Sequence, residues 1–491
     1  MIRRAASLAL CAALAACSAA PRLGGVNRAT GPLGPPRNVL FVIVDDLRPE
    51  LGCYGGLART PHLDELASRS LVFDRAYCQM ATCGASRASV LTGMRPGSTG
   101  VLGNAPHFRA KAPDVITLPQ LFHQHGFQAE AIGKVYHNSA EMQDPPSWSA
   151  PARTWDNWVW ADDPERGYRD RGAPWEAADV DDDAYPDGEI AAAATERLRE
   201  LAVTGEPFFL AVGFLRPHLP FNAPKRYFDL YDPASIPAPD PASRAEGAPP
   251  WQLTSWGELR SYAGVPAAGP LDADATRALR HAYLAATSYA DAQVGRVLAA
   301  LEDSGLSGDT VVVLWSDHGW KLGEFGAWSK HTNVELDTRV PMMLCVPGVT
   351  ERGPRTAAPS ELVDLYPTLV ELFGLPAPPT LEGESLAPLL VDPDAPALAS
   401  AAAFSQYPRT ARVDGEAVRL MGESVRTARW RLTRWRPRGD ASAEPIRIEL
   451  YDHAADPDER RNVADSPALA GVVDELLERL SGRFDRPVPA R

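Results

Sequence analysis

The sequence of 491 residues predicts an α/β fold, in which a large and mostly parallel central sheet is flanked by helices on both faces. A smaller C-terminal antiparallel α+β subdomain is predicted to follow it. The run NVLFVIV at residues 38–44 is continuously apolar, which is typical of a strand buried on both faces of a parallel sheet. Helical segments then alternate with similar runs, and this alternation favours parallel strands joined by helices. After residue 395 the pattern changes to short alternating strands.

The elements can be assigned in chain order. The segment TPHLDELASRS predicts a helix in which Thr60 is the N-cap and Pro61 occupies the first helical position. Two proline-bounded stretches, residues 145–186 and 233–270, are predicted to be insertions or surface loops. Helices are predicted at residues 117–126, 188–202, 274–305, 361–374 and 472–484, and strands at 127–134, 207–214 and 310–319 and within 418–435 and 446–453.

The first 37 residues differ in composition from the rest. Two arginines precede an apolar run ending in LAAC at Cys17, so residues 1–17 are predicted to be a lipoprotein-type signal peptide with a lipobox. An ordinary signal peptide cleaved nearby is the alternative. Residues 18–37, rich in proline, glycine and alanine, predict a flexible tether. Residues 38–395 would form the main domain and 396–491 the C-terminal subdomain of an exported bacterial lipoprotein. It would lie in the periplasm or at the cell surface, attached to the membrane only through Cys17.

Charge and cysteine content narrow the possible partners. The formal net charge of −14 argues against nucleic acid as the main ligand, and an anionic substrate would need a local basic pocket. Two of the six cysteines lie in the predicted signal peptide, and the other four do not form a disulfide framework. A Cys53–Cys78 bridge is possible. Cys83, in the stretch CGASRASVLTG, therefore needs a chemical explanation.

Acidic side chains follow two of the predicted strands. Asp45 and Asp46 come directly after the first strand, and Asp317 lies at the end of the strand that begins at residue 310. Adjacent carboxylates at a strand end are often turn or cap residues. Since the carboxyl ends of parallel strands meet at one edge, three converging carboxylates favour a calcium or magnesium site. His318 either binds this metal or hydrogen-bonds to a group that the metal holds.

Basic side chains are expected at the same edge of the sheet. Arg87 follows Cys83 by four residues and would share a helix face with it. Surface lysines are usually solvated and single histidines are usually structural, so each residue alone predicts little. Around one pocket with a metal, they would bind and polarise a tetrahedral oxyanion. The candidates are Arg87, Lys134, His137, His218 and Lys330.

The stretch CGASRASVLTG resembles the signature of the type I sulfatases, a formylglycine-dependent family within the alkaline phosphatase superfamily. Further motifs, in the correct order between about residues 38 and 465, resemble iduronate-2-sulfatase and its bacterial relatives. These motifs are VDDLRPELGCYGG, GKVYH, RPHLPF, SDHGWKLGEFGAWSK, SQYPR and MGESVRT. The resemblance implies an alkaline phosphatase-like fold and exo-acting hydrolysis of sulfate esters on sulfated carbohydrates such as glycosaminoglycans. Uronate 2-O-sulfate is the best single substrate prediction.

The resemblance also implies roles for the candidate residues. Cys83 would be oxidised to formylglycine by a formylglycine-generating enzyme, and the aldehyde hydrate would be the nucleophile. One divalent ion, calcium rather than magnesium, would be bound by Asp45, Asp46, Cys83, Asp317 and His318. Arg87 and Lys134 would stabilise the ionised hydrate, and His137 would be the base that regenerates the aldehyde. His218 and Lys330 would bind sulfate oxygens and help to protonate the leaving alcohol.

Three positions depart from the family pattern. Ala85 replaces the usual proline of the signature, and conversion of Cys83 depends on whether the modifying enzyme accepts it. His331 and Leu215 stand where iduronate-type enzymes have an aromatic residue and a histidine, so the selectivity of the sugar subsite stays open. The cations considered for that subsite are Arg216, Lys225, Arg409 and Arg412.

Two other functions remain as alternatives. A phosphonate monoester or phosphodiester hydrolase would share both the fold and the formylglycine. A catalytically silent, lipid-anchored carbohydrate-binding protein would result if Cys83 stayed a thiol. A zinc phosphatase would need a second set of histidine and aspartate ligands, which the sequence does not offer.

Overall fold

The computed structural model describes residues 36–156, 159–163, 171–240, 243–395, 401–440 and 442–485. The predicted signal peptide, its lipobox at Cys17 and nearly all of the predicted tether lie outside these residues, as does the predicted domain boundary at residue 396. No helix in the described part of the chain is both long enough and apolar enough to cross a bilayer.

The described residues form sixteen strands and twelve helices. The strands are β1 (Asn38–Val44), β2 (Leu71–Phe73), β3 (Ala76–Tyr77), β4 (Gln128–Gly133), β5 (Phe208–Phe214), β6 (Thr310–Ser316), β7 (Lys321–Leu322), β8 (Trp328–Ser329), β9 (Arg339–Val340), β10 (Met342–Cys345), β11 (Arg355–Thr356), β12 (Ser360–Glu361), β13 (Ala403–Val413), β14 (Glu416–Arg426), β15 (Trp430–Pro437) and β16 (Arg447–Asp452). The helices are α1 (Pro61–Ser68), α2 (Cys83–Thr92), α3 (Pro96–Thr99), α4 (Leu118–Gln124), α5 (Pro186–Thr204), α6 (Lys225–Phe228), α7 (Gly257–Arg260), α8 (Ala273–Asp303), α9 (Glu335–Thr338), α10 (Leu365–Phe373), α11 (Ala387–Val391) and α12 (Ala470–Phe484).

A seven-stranded sheet organises the main domain, in the order β11-β2-β10-β6-β1-β5-β4. Strand β1 pairs in parallel with β5 and β6, and β5 pairs in parallel with β4. The predicted mostly parallel sheet is confirmed, and β4, β5 and β6 each follow the helix predicted before them. Strand β10 is antiparallel to both β6 and β2, which the sequence did not predict. A four-residue apolar run carries no signal for strand direction.

Helices cover both faces of this sheet. Along β1, Val39, Phe41 and Ile43 pack into one core, which also contains residues of α2, α4 and α10. The alternate residues Leu40, Val42 and Val44 pack into a second core with residues of α1, α5 and α8. Burial on both faces explains why the strand sequence is continuously apolar.

The C-terminal residues form the predicted antiparallel subdomain, a four-stranded sheet in the order β13-β14-β15-β16. Helix α12 covers one face of the sheet, where Leu476 and Leu480 pack against Val425, Leu432 and Leu450. Strand β13 was not predicted, although it contains the motif SQYPR. It also contacts the main domain, since the backbone N–H of residue 406 donates to the carbonyl of residue 79. The subdomain is therefore hydrogen-bonded to the segment that leads into α2.

The four cysteines in the described residues are free thiols. The Cys53–Cys78 bridge that the sequence allowed is therefore absent. Cys53 is half-buried beside α1, where its backbone N–H donates to Asp64, whereas Cys78 is fully buried. Neither of them is a disulfide partner for Cys83.

Candidate active site

The carboxyl ends of three adjacent strands meet at one edge of the sheet. Val44, the last residue of β1, pairs with Phe214 of β5 and with Ser316 of β6. The residues that follow β1 and β6, Asp45 and Asp317, therefore leave the sheet side by side. This edge is where open α/β folds place their functional groups.

Arg87 of α2 holds these two acids together. Its Nη2 donates to Asp45 Oδ1 at 2.7 Å and its Nε donates to Asp317 Oδ2 at 2.9 Å. Lys134, which follows β4, adds a third contact through Nζ, 2.5 Å from Asp45 Oδ2. Although burial alone would raise it, Lys134 and Arg87 hold the pKa of Asp45 well below its usual range. The fully buried carboxylate is thus stabilised as an anion.

Asp46 has a strained backbone, with φ at 58°, in the left-handed region that non-glycine residues rarely adopt. Its N–H donates to Asp317 Oδ1 at 3.2 Å, and its carbonyl accepts from the Tyr283 hydroxyl at 2.8 Å. Burial raises the pKa of Asp46 to about 7, despite the opposing charge of Lys330. Backbone strain of this kind is concentrated at functional sites.

Cys83 is the first residue of α2, and all ten residues of this helix are buried. Arg87 lies one turn later, as the predicted helix face requires. Gly84 lies against a loop, because a Cβ at this position would be 2.7 Å from the Gly103 carbonyl oxygen. Burial raises the pKa of the Cys83 thiol well above its usual value. The unmodified thiol is therefore protonated at neutral pH and a weak nucleophile.

His318 lies between Cys83 and the acids. Its Nε2 is 3.3 Å from Cys83 Sγ and 3.4 Å from Asp46 Oδ1. Its Nδ1 is 3.0 Å from the Gly319 carbonyl oxygen. When Nδ1–H donates to this carbonyl, the Nε2 lone pair is directed at the cluster, which is the usual arrangement of a metal-ligating histidine.

These residues fit a divalent cation. Ligand atoms of Asp45, Asp46, Cys83 and His218 lie within 4.8 Å of one another, and so do those of Cys83, Asp317 and His318. A set dominated by carboxylate oxygens suits a hard cation such as calcium or magnesium.

Lys330 pairs with Asp46 and lines the cavity described below. Its Nζ donates to both carboxylate oxygens of Asp46, at 2.8 and 2.9 Å, and lies 3.5 Å from Glu258 Oε2. The ammonium also lies 4.9 Å from the centre of the Trp320 ring. Although burial would lower it, the neighbouring acids keep the pKa of Lys330 well above its usual value. Lys330 is therefore a permanent positive charge in the site.

His218 is bound on both ring nitrogens. Its Nδ1 lies 2.5 Å from the Leu219 carbonyl oxygen, and its Nε2 lies 3.2 Å from Glu258 Oε1. Burial and the charges of Lys330 and Lys134 lower the pKa of His218, and the negative charge of Glu258 opposes them only in part. Glu258 belongs to α7, inside the stretch 233–270 that was predicted as a surface loop. Sequence reasoning missed this residue, because an isolated glutamate in a loop has no motif around it.

The site opens into a cavity of about 680 Å³. Its basic wall consists of Lys134, Lys330, His137, His218 and His331. The His137 Nδ1 is buried and has no hydrogen-bond partner among the described residues. Burial and the charge of Lys134 lower the pKa of His137 to about 3. Its imidazole is therefore neutral at neutral pH.

The structure brings all ten predicted site residues to this edge of the sheet, in two layers. Arg87 and the acids form a rear layer behind Cys83, and Arg87 is not among the residues that line the cavity. Besides Glu258, seven lining residues lay outside the motifs named in the sequence, namely Asn104, Asn138, Ser139, Thr154, Trp155, Asp156 and Arg171. Among them are Asn104, whose Oδ1 accepts from the Gly84 N–H at 3.0 Å, and Trp155 and Arg171 of the first predicted insertion.

Comparison with known proteins identifies the class of enzyme. The family model described as Sulfatase matches residues 37–375, and the model described as N-sulphoglucosamine sulphohydrolase, C-terminal, matches residues 323–485. The chain therefore belongs to the sulfatase family and is a sulfuric ester hydrolase.

Its relatives confirm the more specific resemblance seen in the sequence. Human iduronate 2-sulfatase is 36% identical over 466 residues, which cover 81% of this chain and 84% of the relative. A sulfatase of Formosa agariphila is 30% identical over 459 residues, with 89% and 85% covered. The chain is a type I sulfatase similar to the iduronate 2-sulfatases, and the similarity supports sulfate ester hydrolysis on sulfated sugars.

Solved structures share the fold. The phosphonate monoester hydrolase of Agrobacterium radiobacter has a TM-score of 0.75 at 24% identity, with 92% of this chain and 95% of that chain covered. A structure in complex with its substrate D-glucosamine-2-N,6-O-disulfate has a TM-score of 0.70 at 22% identity, with 91% and 97% covered. These similarities confirm the predicted alkaline phosphatase-like fold.

Proposed function

We propose that this sulfatase removes sulfate from the ends of sulfated glycans, with 2-O-sulfated uronates as its preferred substrates. One observation supports this most strongly. Cys83 lies between a layer of three buried carboxylates and a wall of basic residues, at the bottom of a cavity large enough for a sugar. The similarity to iduronate 2-sulfatases supports the choice of uronate.

We further propose that Cys83 is converted to formylglycine and that calcium is bound by Asp45, Asp46, Asp317 and His318 together with residue 83. The formylglycine hydrate would supply a nucleophile that a buried, protonated thiol cannot supply, and the ion would supply positive charge. Because α2 is entirely buried, a formylglycine-generating enzyme must act before the chain folds. Ala85 packs in the core of the folded helix, so a small side chain fits there.

The basic wall would bind the sulfate group. Lys134 Nζ lies 3.9 Å from Cys83 Sγ, and Lys330 is held next to the same atom by Asp46. Two ammonium groups held in place before the substrate arrives would stabilise the negative charge that develops on the sulfate oxygens. Arg87 would act from behind as a positioning residue, since it fixes Asp45 and Asp317.

Two histidines would move protons. A sugar alkoxide is a poor leaving group near neutral pH, so it needs a positioned acid. His218 lines the cavity and lies 3.2 Å from Glu258, whose negative charge favours a proton on the imidazole, and it would protonate the leaving alcohol. His137 lines the same cavity with a buried Nδ1 that has no partner among the described residues, and it would be the base in the step that restores the aldehyde.

We also propose that the protein is exported and anchored through a lipid on Cys17. The sequence motif at residues 14–17 supports this proposal. Metabolic labelling with a radioactive fatty acid tests it, because a Cys17→Ala variant should lose the label.

The proposed reaction is tested by ion chromatography of released sulfate. We expect converted enzyme to release sulfate from a 2-O-sulfated uronide faster than from a 6-O-sulfated glucosamine, and Cys83→Ala to release none. A phosphonate monoester is the necessary third substrate, because the fold is also that of phosphonate monoester hydrolases. Faster hydrolysis of the phosphonate would overturn the proposal. If converted enzyme hydrolysed none of the three, the silent binding protein would be the better interpretation.

A further inference from the structure

A second groove lies next to the catalytic cavity, with a volume of about 460 Å³. One side is formed by residues 250–255 of the second predicted insertion, and the other by residues 409–412 of β13. Two connections join this groove to the cavity. Arg409 Nη2 in the groove donates to the His331 carbonyl at 2.6 Å, and His331 lines the cavity. Ser255 lines the groove, and Glu258, three residues later, lines the cavity.

Arg409 is half-buried and has no ion pair with any carboxylate in the described part of the chain. Its Nε donates to the Trp251 carbonyl at 3.1 Å, its Nη2 donates to the His331 carbonyl, and its guanidinium lies 4.8 Å from the centre of the Tyr407 ring. By contrast, the buried Arg87, Arg95 and Arg431 each pair with carboxylates. A guanidinium at the surface of a groove and without a partner acid can pair with an anionic ligand.

The remaining lining residues make the groove locally positive. Arg412 lies at its exposed end, and none of the described residues that line the groove is acidic. This contrasts with a chain whose formal net charge is −14. A guanidinium binds sulfate or carboxylate through two parallel hydrogen bonds, so a groove lined by two arginines suits a ligand with repeated anionic groups.

We propose that this groove binds the next anionic sugar residues of a sulfated oligosaccharide whose terminal residue occupies the catalytic cavity. The inference rests on the proposed function, because only a substrate that extends from the catalytic cavity into the groove would occupy both sites. Arg409 would bind the anionic group nearest to the scissile end, and Arg412 the following one. The C-terminal subdomain would thereby favour longer substrates.

Calorimetric titration with a fully sulfated heparin tetrasaccharide tests the groove. We expect Arg412→Glu to weaken binding at least about tenfold and to flatten its salt dependence, because one cation is replaced by an anion. Arg199→Glu is the matched control, since Arg199 is exposed on α5 and lines neither the cavity nor the groove. A second variant, Arg409→Gln, should weaken binding further while retaining a donor to the Trp251 carbonyl.

Equal affinities of the Arg412→Glu and Arg199→Glu proteins would overturn the groove proposal. A desulfated tetrasaccharide that bound as tightly as the sulfated one would overturn it as well. Hydrolysis of 4-nitrophenyl sulfate by the same preparations tests the proposed reaction independently of oligosaccharide binding in the groove. If the tetrasaccharide bound through Arg412 but converted enzyme hydrolysed no sulfate ester, the reaction would be refuted and the groove retained.

Discussion

Replacing Glu258 with glutamine should impair proton delivery without dismantling the site. In the native structure the carboxylate lies 3.2 Å from His218 Nε2 and 3.5 Å from Lys330 Nζ. Glutamine keeps the shape but loses the negative charge that favours a proton on His218. A hydrogen bond to a charged group contributes about 1.5–3 kcal/mol, which corresponds to an about 10- to 100-fold lower kcat.

The leaving group distinguishes this role from a structural one. A sugar alcohol needs an acid, whereas 4-nitrophenolate leaves readily without one. We therefore expect Glu258→Gln to lower kcat for a uronate 2-sulfate about 10- to 100-fold and to lower kcat for 4-nitrophenyl sulfate much less. Glu246→Gln is the control, because Glu246 is exposed in the same insertion. Equal losses on both substrates would refute a role for Glu258 in protonation.

Three further changes test other parts of the site. Arg87→Ala should lower the free energy of unfolding, measured in urea, by about 3–5 kcal/mol, because it leaves Asp45 and Asp317 buried without their partner. A decrease below about 1 kcal/mol would contradict this expectation. Gly213→Ala should lower activity at least about tenfold, since a Cβ would be 2.1 Å from the Lys134 carbonyl oxygen and must displace this lysine. Undiminished activity would show that the backbone yields elsewhere. Chelation of divalent ions should abolish activity and lower the Tm, with calcium restoring both; an unchanged Tm would exclude a bound ion at the carboxylates.

The central strands were predictable because one physical cause dominates their sequences. Strands β1, β5 and β6 are buried on both faces, so their residues are continuously apolar, and Asp45 and Asp317 mark where burial ends. Since neighbouring parallel strands end in register, residues far apart in sequence could be assigned to one site. The direction of β10 could not be predicted, because pairing partners leave no trace in four apolar residues.

The residues that form the sides of the cavity were less predictable than the residues at the strand ends. Glu258, Trp155 and Arg171 come from two segments that looked like surface loops, and their positions follow from packing between distant parts of the chain. The rear position of Arg87 was also hidden. Its spacing from Cys83 predicted a shared helix face, but not that the guanidinium would be fully buried against Asp45 and Asp317.

The most direct test of the proposed chemistry is the mass of the tryptic peptide AYCQMATCGASR, residues 76–87, from protein produced together with a formylglycine-generating enzyme. We expect a loss of about 18 Da, from replacement of H₂S by O, located by fragmentation at Cys83 and not at Cys78. The fraction of converted peptide should match the fraction of active enzyme. Full sulfatase activity in protein whose Cys83 is entirely an unmodified thiol would contradict the proposed nucleophile.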